Sequence, residues 1–280
     1  MSLSDAAERT LKDGDPHAAL ARLQEDVRAR PSDPKLRVFL FQLLCVLGQW
    51  DRALNQLKVA SELDPLALPM AQMYGDAVRC EAVRDDVFEG KKSPMVLGEP
   101  EQWLALLIES RLQAGRGEAS QSEELRQRAF EEAPTSSGSI DGRPFDWVAD
   151  ADSRLGPVME AIINGRYYWV PFSRVREVTM EAPEDLRDLV WMPARLGFQN
   201  GGESLALVPT RYPGSQGAED GALALSRKTL WESFADEAYR GLGQRIITTD
   251  TGDTPFLEIR ALSITPDGDP APESTGPDHG

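Results

Sequence analysis

The sequence predicts a two-domain α+β protein, an α-α superhelix followed by a smaller, antiparallel β-rich α+β domain. Three observations predict it. A 34-residue repeat runs through the first part, with Gly14 recurring as Gly48, Ala19 as Ala53, Leu20 as Leu54, Leu23 as Leu57 and Pro31 as Pro65. A Thr/Ser/Gly-rich stretch, Thr135-Ser136-Ser137-Gly138-Ser139, follows the helical region and reads as a linker. Beyond it, Ile162-Ile163-Asn164-Gly165-Arg166-Tyr167-Tyr168-Trp169-Val170 places two β-rich runs around Asn-Gly, the strongest short hairpin signal. The expected division is 1–134 helical, 135–144 linker, 145–264 α+β, and 265–280 a disordered acidic, proline-rich tail.

The 34-residue period is that of the tetratricopeptide pattern, whose second helix carries A-x3-F…P. Here it reads Ala19-x3-Leu23…Pro31 and Ala53-x3-Leu57…Pro65. The small residue lets helices approach, the large one fills the interface, and the proline stops the helix. Gly14 and Gly48 fall in the turns between paired helices. The first-helix signature is weaker, with Arg37 in place of the usual tryptophan. Residues 68–84 read as helix, the segment from Phe88 to Pro94 as a loop, and 101–114 and 122–133 as a further helix pair stopped by Pro134. In the second domain, runs at 172–180, 189–198, 204–209 and 256–262 read as strands. One helix is expected at 222–239, through Leu223, Leu225, Leu230, Trp231 and Phe234.

Composition excludes whole classes of function. Basic residues number 30 and acidic ones 46, a net charge of −16 that repels phosphate backbones and argues against nucleic acid as a partner. No apolar run approaches the ~20 residues of a membrane span, and the N-terminus lacks the basic-then-apolar pattern of a secretory signal. With two cysteines, Cys45 and Cys80, no disulfide framework is expected, and a cytoplasmic location with reduced thiols follows. The two histidines, His17 and His279, are too few and badly placed for a Ser-His-Asp triad, a Cys-His dyad or an imidazole-rich zinc site. No cofactor is expected.

The block Phe145-Asp146-Trp147-Val148-Ala149-Asp150-Ala151-Asp152-Ser153-Arg154-Leu155-Gly156-Pro157 closely resembles the ImpE family, also called TagJ. Further matching blocks are Asn164 to Phe172, Asp185-Leu186-Arg187-Asp188-Leu189-Val190-Trp191, Pro209-Thr210-Arg211-Tyr212-Pro213-Gly214-Ser215 and Gly243-Gln244-Arg245. The resemblance covers nearly the whole chain short of the tail. It implies a cytoplasmic, non-enzymatic accessory of the type VI secretion system. Such an adaptor binds the N-terminal helix of the small sheath subunit and links the contractile sheath to its AAA+ unfoldase. It carries no family catalytic residues.

Other readings of the residues stand beside it. Asp146, Asp150 and Asp152 offer oxygen ligands for a divalent cation and hence a carboxylate- or metal-dependent enzyme. The same aspartates equally suit helix caps, turns and pairing with Arg154. Tyr167, Tyr168 and Trp169 suit a stacking platform or a sheet core. Arg187, Arg195, Arg211 and Arg245 suit an anion site or ordinary ion pairs. A general interaction scaffold unrelated to secretion is the remaining reading.

Stacked helix pairs curve, and their first helices line a concave face suited to a partner helix. The repeat register puts Lys35, Val38, Gln42, Cys45 and Val46 on that face, joined by Gln72, Asp76, Arg79 and Cys80 from the next first helix.

Overall fold

A computed structural model describes residues 4–266. The helical part is α1 (Ser4–Lys12), α2 (Pro16–Ala29), α3 (Pro34–Val46), α4 (Trp50–Leu63), α5 (Leu68–Phe88), α6 (Gln102–Gly115) and α7 (Ala119–Glu132). Asp-Pro pairs start two of these helices. The Asp15 carboxylate accepts from Ala18 N (2.8 Å), and that of Asp33 from Lys35 N (3.0 Å) and Leu36 N (3.3 Å). Pro16 and Pro34 sit in the first turn, where a missing N–H costs nothing. Gly14 (φ +87°) and Gly48 (φ +64°) are left-handed in the turns that pair α1 with α2 and α3 with α4. The repeat positions Ala19, Leu23, Ala53 and Leu57 all lie in the core.

The repeat then breaks. α5 runs for 21 residues, and no second helix follows it. The chain turns at Gly90 and enters β1 (Met95–Val96), which adds in parallel to β6 (Arg166–Pro171). A sheet edge thus replaces the missing helix.

The nine-stranded sheet has the order β1-β6-β5-β9-β8-β7-β14-β2-β3. Its other members are β2 (Gly138–Ile140), β3 (Arg143–Phe145), β5 (Val158–Ile163), β7 (Val175–Met180), β8 (Trp191–Phe198), β9 (Glu203–Pro209) and β14 (Ala261–Ile264). Every pairing except β1–β6 is antiparallel. The β5–β6 turn is Asn164-Gly165, with φ of +50° and +71°, as the sequence predicts. A three-stranded sheet joins β4 (Val148–Asp150), β12 (Ile246–Thr249) and β13 (Gly252–Pro255).

One face of the large sheet packs on the helices and the other closes a second core. Ile162, Tyr167, Trp169, Trp191 and Leu207 belong to the core shared with α3, α4 and α5. Met159, Ala161, Val170, Val178, Leu196 and Val208 belong to the second core, with Tyr168 packed at its margin. The alternation of Tyr167, Tyr168 and Trp169 is therefore sheet alternation, with each face committed to packing.

Three local expectations are corrected, the smallest being the strand read at 256–262, where Phe256–Glu258 forms a 3-10 helix and the strand starts only at Ala261. Within 222–239 the helix is the short α8 (Gly221–Ala224). Ser226 then adopts φ +53°, Arg227 N donates to Ala222 O (2.8 Å) and Ser226 N to Leu223 O (3.1 Å). A left-handed residue under such bonds ends a helix. The chain continues as a separate hairpin, β10 (Thr229–Ala235) and β11 (Ala238–Gly243). The 135–144 segment is likewise no bare linker. β2 lies in it and pairs with β14, because burying Ile140 against Leu262 rewards an extended conformation there. At the C-terminal end, Thr265 N donates to Ser137 O (2.9 Å), and the rest of the expected tail beyond Pro266 lies outside the described residues.

Candidate partner-binding groove

A groove of about 940 Å³ opens where α3 faces the segment between β7 and β8. Lys35, Val38, Phe39 and Gln42 of α3 form one wall, with Leu11 and Lys12 of α1 at its end. Pro183, Glu184, Leu186 and Leu189 form the opposite wall. Lys35 is exposed, Val38 and Leu186 are half-buried, and Gln42 is buried. The interior is thus apolar, while the rim carries both signs of charge through Lys12, Lys35, Arg227, Asp64, Glu184 and Asp185.

The second wall is held rigidly. The Asp188 carboxylate accepts from Glu184 N (2.7 Å) and Asp185 N (3.2 Å), and that of Asp185 from Arg187 N (2.8 Å). Arg187 pairs with Asp185 and lies 4.8 Å from the centre of the Tyr74 ring on α5. Burial, with the nearby acidic groups, pushes the Tyr74 hydroxyl up to about 12, so it stays protonated. Trp191 anchors the segment's end, donating to Glu81 (2.7 Å) and packing on Trp50 and Tyr74.

The residues expected on the concave face therefore divide. Lys35, Val38 and Gln42 share the groove. Cys45 and Val46, one turn further along α3, are fully buried beneath the second domain. Arg211 donates to their carbonyl oxygens (2.8 and 2.6 Å) and to that of Ala224 (2.5 Å), so an arginine caps two helix ends at once. Gln72, Asp76 and Arg79 lie on a shallow cleft between α4 and α5, where Asp76 and Arg79 form an exposed pair at 2.7 Å. Cys80 is buried against the β5–β6 turn, with its thiol 3.4 Å from Gly165 O. The wall from Pro183 to Leu189 is the part that the repeat register did not reveal. Its sequence signals are the family-like block from Asp185 to Trp191 and, within it, the pair Leu186 and Leu189 among charged residues.

Most family-like blocks meet in a buried polar seam between helices and sheet. Arg84 of α5 donates to both oxygens of Glu160 on β5 (2.6 and 3.0 Å) and to Arg211 O (2.7 Å). Arg245 bridges Glu160 and Asp150. Tyr167 donates to Glu160 (2.6 Å) and receives the Trp169 indole N–H (2.9 Å). Burial raises the Glu160 carboxyl, but Arg84 and Arg245 outweigh it and hold it at about 2. At Asp150 burial prevails over Arg245, and the carboxyl rises to about 6.

The three aspartates do not converge. Asp150 receives Arg245, Tyr212 Oη (3.1 Å) and Asp152 N (2.9 Å). Asp152 receives Arg154 (2.6 and 2.8 Å) and Gly241 N (2.9 Å). Asp146 is exposed, in a turn that the Asp250 carboxylate caps through Asp146 N (2.7 Å). The four arginines disperse as well: Arg187 to Asp185, Arg195 to Glu203 at the surface, Arg211 to helix ends and Arg245 to the seam.

Among the described residues no helix is long and apolar enough to cross a membrane. The tetratricopeptide repeat family matches residues 10–73, and the ImpE protein family matches residues 142–263. The type VI secretion system accessory component TagJ of Pseudomonas aeruginosa is 49% identical over 267 residues, covering 95% of this chain and 93% of that protein. The crystal structure of protein VPA1032 from Vibrio parahaemolyticus superposes with a TM-score of 0.84 at 28% identity, over 93% of this chain and 97% of that one. A relative this similar over almost the full length, joined to the motif blocks of the seam, settles the ancestry: the chain belongs to the ImpE family, that of TagJ.

Proposed function

We propose that the chain is a cytoplasmic, non-enzymatic accessory component of a type VI secretion system, which captures the N-terminal helix of the small sheath subunit in the α3 groove. By holding that subunit it links the contractile sheath to its AAA+ unfoldase. The observation that carries the reading is the composite groove on a member of this family, with an apolar interior and a rim of both charges. An amphipathic helix needs that combination, since apolar anchors supply affinity and polar groups fix register. Asp150 and Asp152 support a binding role over catalysis, because arginines and backbone N–H groups already occupy their oxygens.

The test is binding of a peptide spanning the sheath-subunit helix to wild type, Val38→Asp and Lys35→Glu, with circular dichroism confirming each fold. A buried charge opposite an apolar anchor costs ~2 kcal/mol or more, so Val38→Asp should bind at least about thirtyfold more weakly. Lys35→Glu should act mainly on association rate and its salt dependence. Equal affinity of folded Val38→Asp and wild type would remove the groove as the site.

A further inference from the structure

The ends of the large sheet are blunted against strand addition. β1 has two residues, and β3 has three with Pro144 at its centre. In the three-stranded sheet, β4 has three residues, and β13 has four and closes with Pro255. Short edges and prolines are the usual protection of a free edge. β10 is the contrast. It is seven residues long, pairs on one side with β11, and has no lysine, arginine or proline from Thr229 to Ala235. Leu230, Trp231 and Phe234 are 46, 40 and 40% exposed, and Tyr239 on β11 is 48% exposed.

Hydrogen bonds identify which backbone groups of β10 are free. Gly241 N and Gly243 N donate to Asp152 and Ser215, and Tyr239 N and O bond Ser153. These β11 groups therefore face away from β10, and their partners Trp231, Thr229 and Ser233 form the non-bonded pairs of the ribbon. The N–H and C=O groups of Trp231 and Ser233 consequently point outward along the open edge. Ser153, Asp152 and Ser215 fix the far side of the ribbon to the body, so this edge is presented by a held, not a loose, hairpin.

Charge selects the occupant. The turn residues Asp236 and Glu237 are exposed and have no cation paired to them among the described residues, whereas Glu232 on β10 is already matched by Arg240 (2.9 Å). The exposed rings of Phe234 and Tyr239 also attract cations, while Trp231 packs on Tyr212. A second copy of the chain is disfavoured by its charge of −16. We propose that the outer edge of β10 receives an extended segment of a partner protein, carrying alternating apolar and lysine or arginine residues, by strand addition. This surface is separate from the α3 groove and does not depend on it.

The experiment uses the full chain and two synthetic decapeptides, one alternating valine with lysine and one alternating valine with glutamate. Amide exchange of Trp231 and Ser233 is followed by NMR. The lysine peptide should slow both amides at least tenfold and bind at least tenfold more tightly than the glutamate peptide. Ser233→Pro removes an outward N–H without touching the β10–β11 ladder, and Phe234→Lys places a guarding charge on the edge. Each should abolish the protection, read at Trp231 in Ser233→Pro and at both amides in Phe234→Lys, while the melting temperature and dichroism stay unchanged. Unchanged exchange at both amides with the lysine peptide would overturn the proposal. So would equal protection by the two peptides, protection retained in both variants, or sedimentation showing that a second copy covers the edge.

Discussion

Arg84 and Glu160 meet across the domain seam in a two-point ion pair, with no exposed atom of consequence on either side chain. Glu160 also holds Arg245 and Tyr167, so one carboxylate ties α5, β5, β6 and the start of β12 together. Removing Arg84 takes one of two cations from the buried Glu160 and the cation of the buried Glu81, at a cost of about 3–5 kcal/mol. Arg84→Met should therefore lower the melting temperature by roughly 6–15 °C, taking about 2–3 °C per kcal/mol for a chain of this size. Adding Glu160→Gln to Arg84→Met should recover part of the loss, since the under-compensated carboxylate is gone and Arg245 keeps Asp150. A double-mutant cycle in urea measures the coupling. Strictly additive losses would show that the pair does not act as a unit.

The two seam carboxylates respond oppositely to pH. Burial raises Asp150 to about 6, despite Arg245, so its contribution to stability is complete below its unfolded value near ~4 and is lost as the pH rises through about 6. Arg84 and Arg245 hold Glu160 at about 2 against burial, so its contribution is complete above ~4.3 and is lost as the pH falls toward 2. Asp85, raised to about 6 by burial and Glu81, acts in the same direction as Asp150. Thermal melts should thus be flat from pH 8 to about 7, rise as the pH falls through 6, and peak near pH ~4, where the loss from Glu160 begins to prevail. Asp150→Asn should flatten that rise. A wild-type melting temperature that falls from pH 8 to pH 5 would contradict the assignment.

Both thiols are sealed by the fold. Burial pushes the Cys45 thiol well up and the Cys80 thiol to about 11, which leaves little thiolate at neutral pH. Alkylation of the native chain at pH 8 should run on the order of a hundredfold slower than in denaturant, where two free thiols should count. Fast native labelling of Cys45 would mean that the seam above it opens readily.

The helical half was legible because its signals are local. Ala19, Leu23, Ala53 and Leu57 repeat at a fixed spacing, and Pro31 and Pro65 mark helix ends in any context. The 222–239 segment misled because its apolar residues fit a helix nearly as well as a strand, and the helix stop is Ser226 rather than a glycine. The groove was half legible. Val38 and Lys35 follow from the repeat register, but Leu186 and Leu189 reach α3 only through long-range packing of the second domain. The same packing buries Cys45 and Val46, through an arginine that no local pattern ties to α3.

The composite groove makes a prediction that a bare tetratricopeptide groove does not. Leu186 is half-buried opposite α3, packed at the margin of the core in a segment that Asp185, Asp188 and Trp191 also fix. Leu186→Asp should therefore leave the fold intact, at a stability cost within about 1–2 kcal/mol. On the proposed binding mode it should nonetheless weaken binding of the sheath-subunit helix at least tenfold, about 1.4 kcal/mol, because a carboxylate would face the helix's apolar stripe. Calorimetry on Leu186→Asp, Val38→Asp and the double variant separates the cases. Residues touching one bound helix from opposite walls should give losses that fall short of additivity once the anchor is displaced. A Leu186→Asp variant that binds as wild type, beside a Val38→Asp variant that does not, would confine the helix to the α3 wall and remove the second domain from the site.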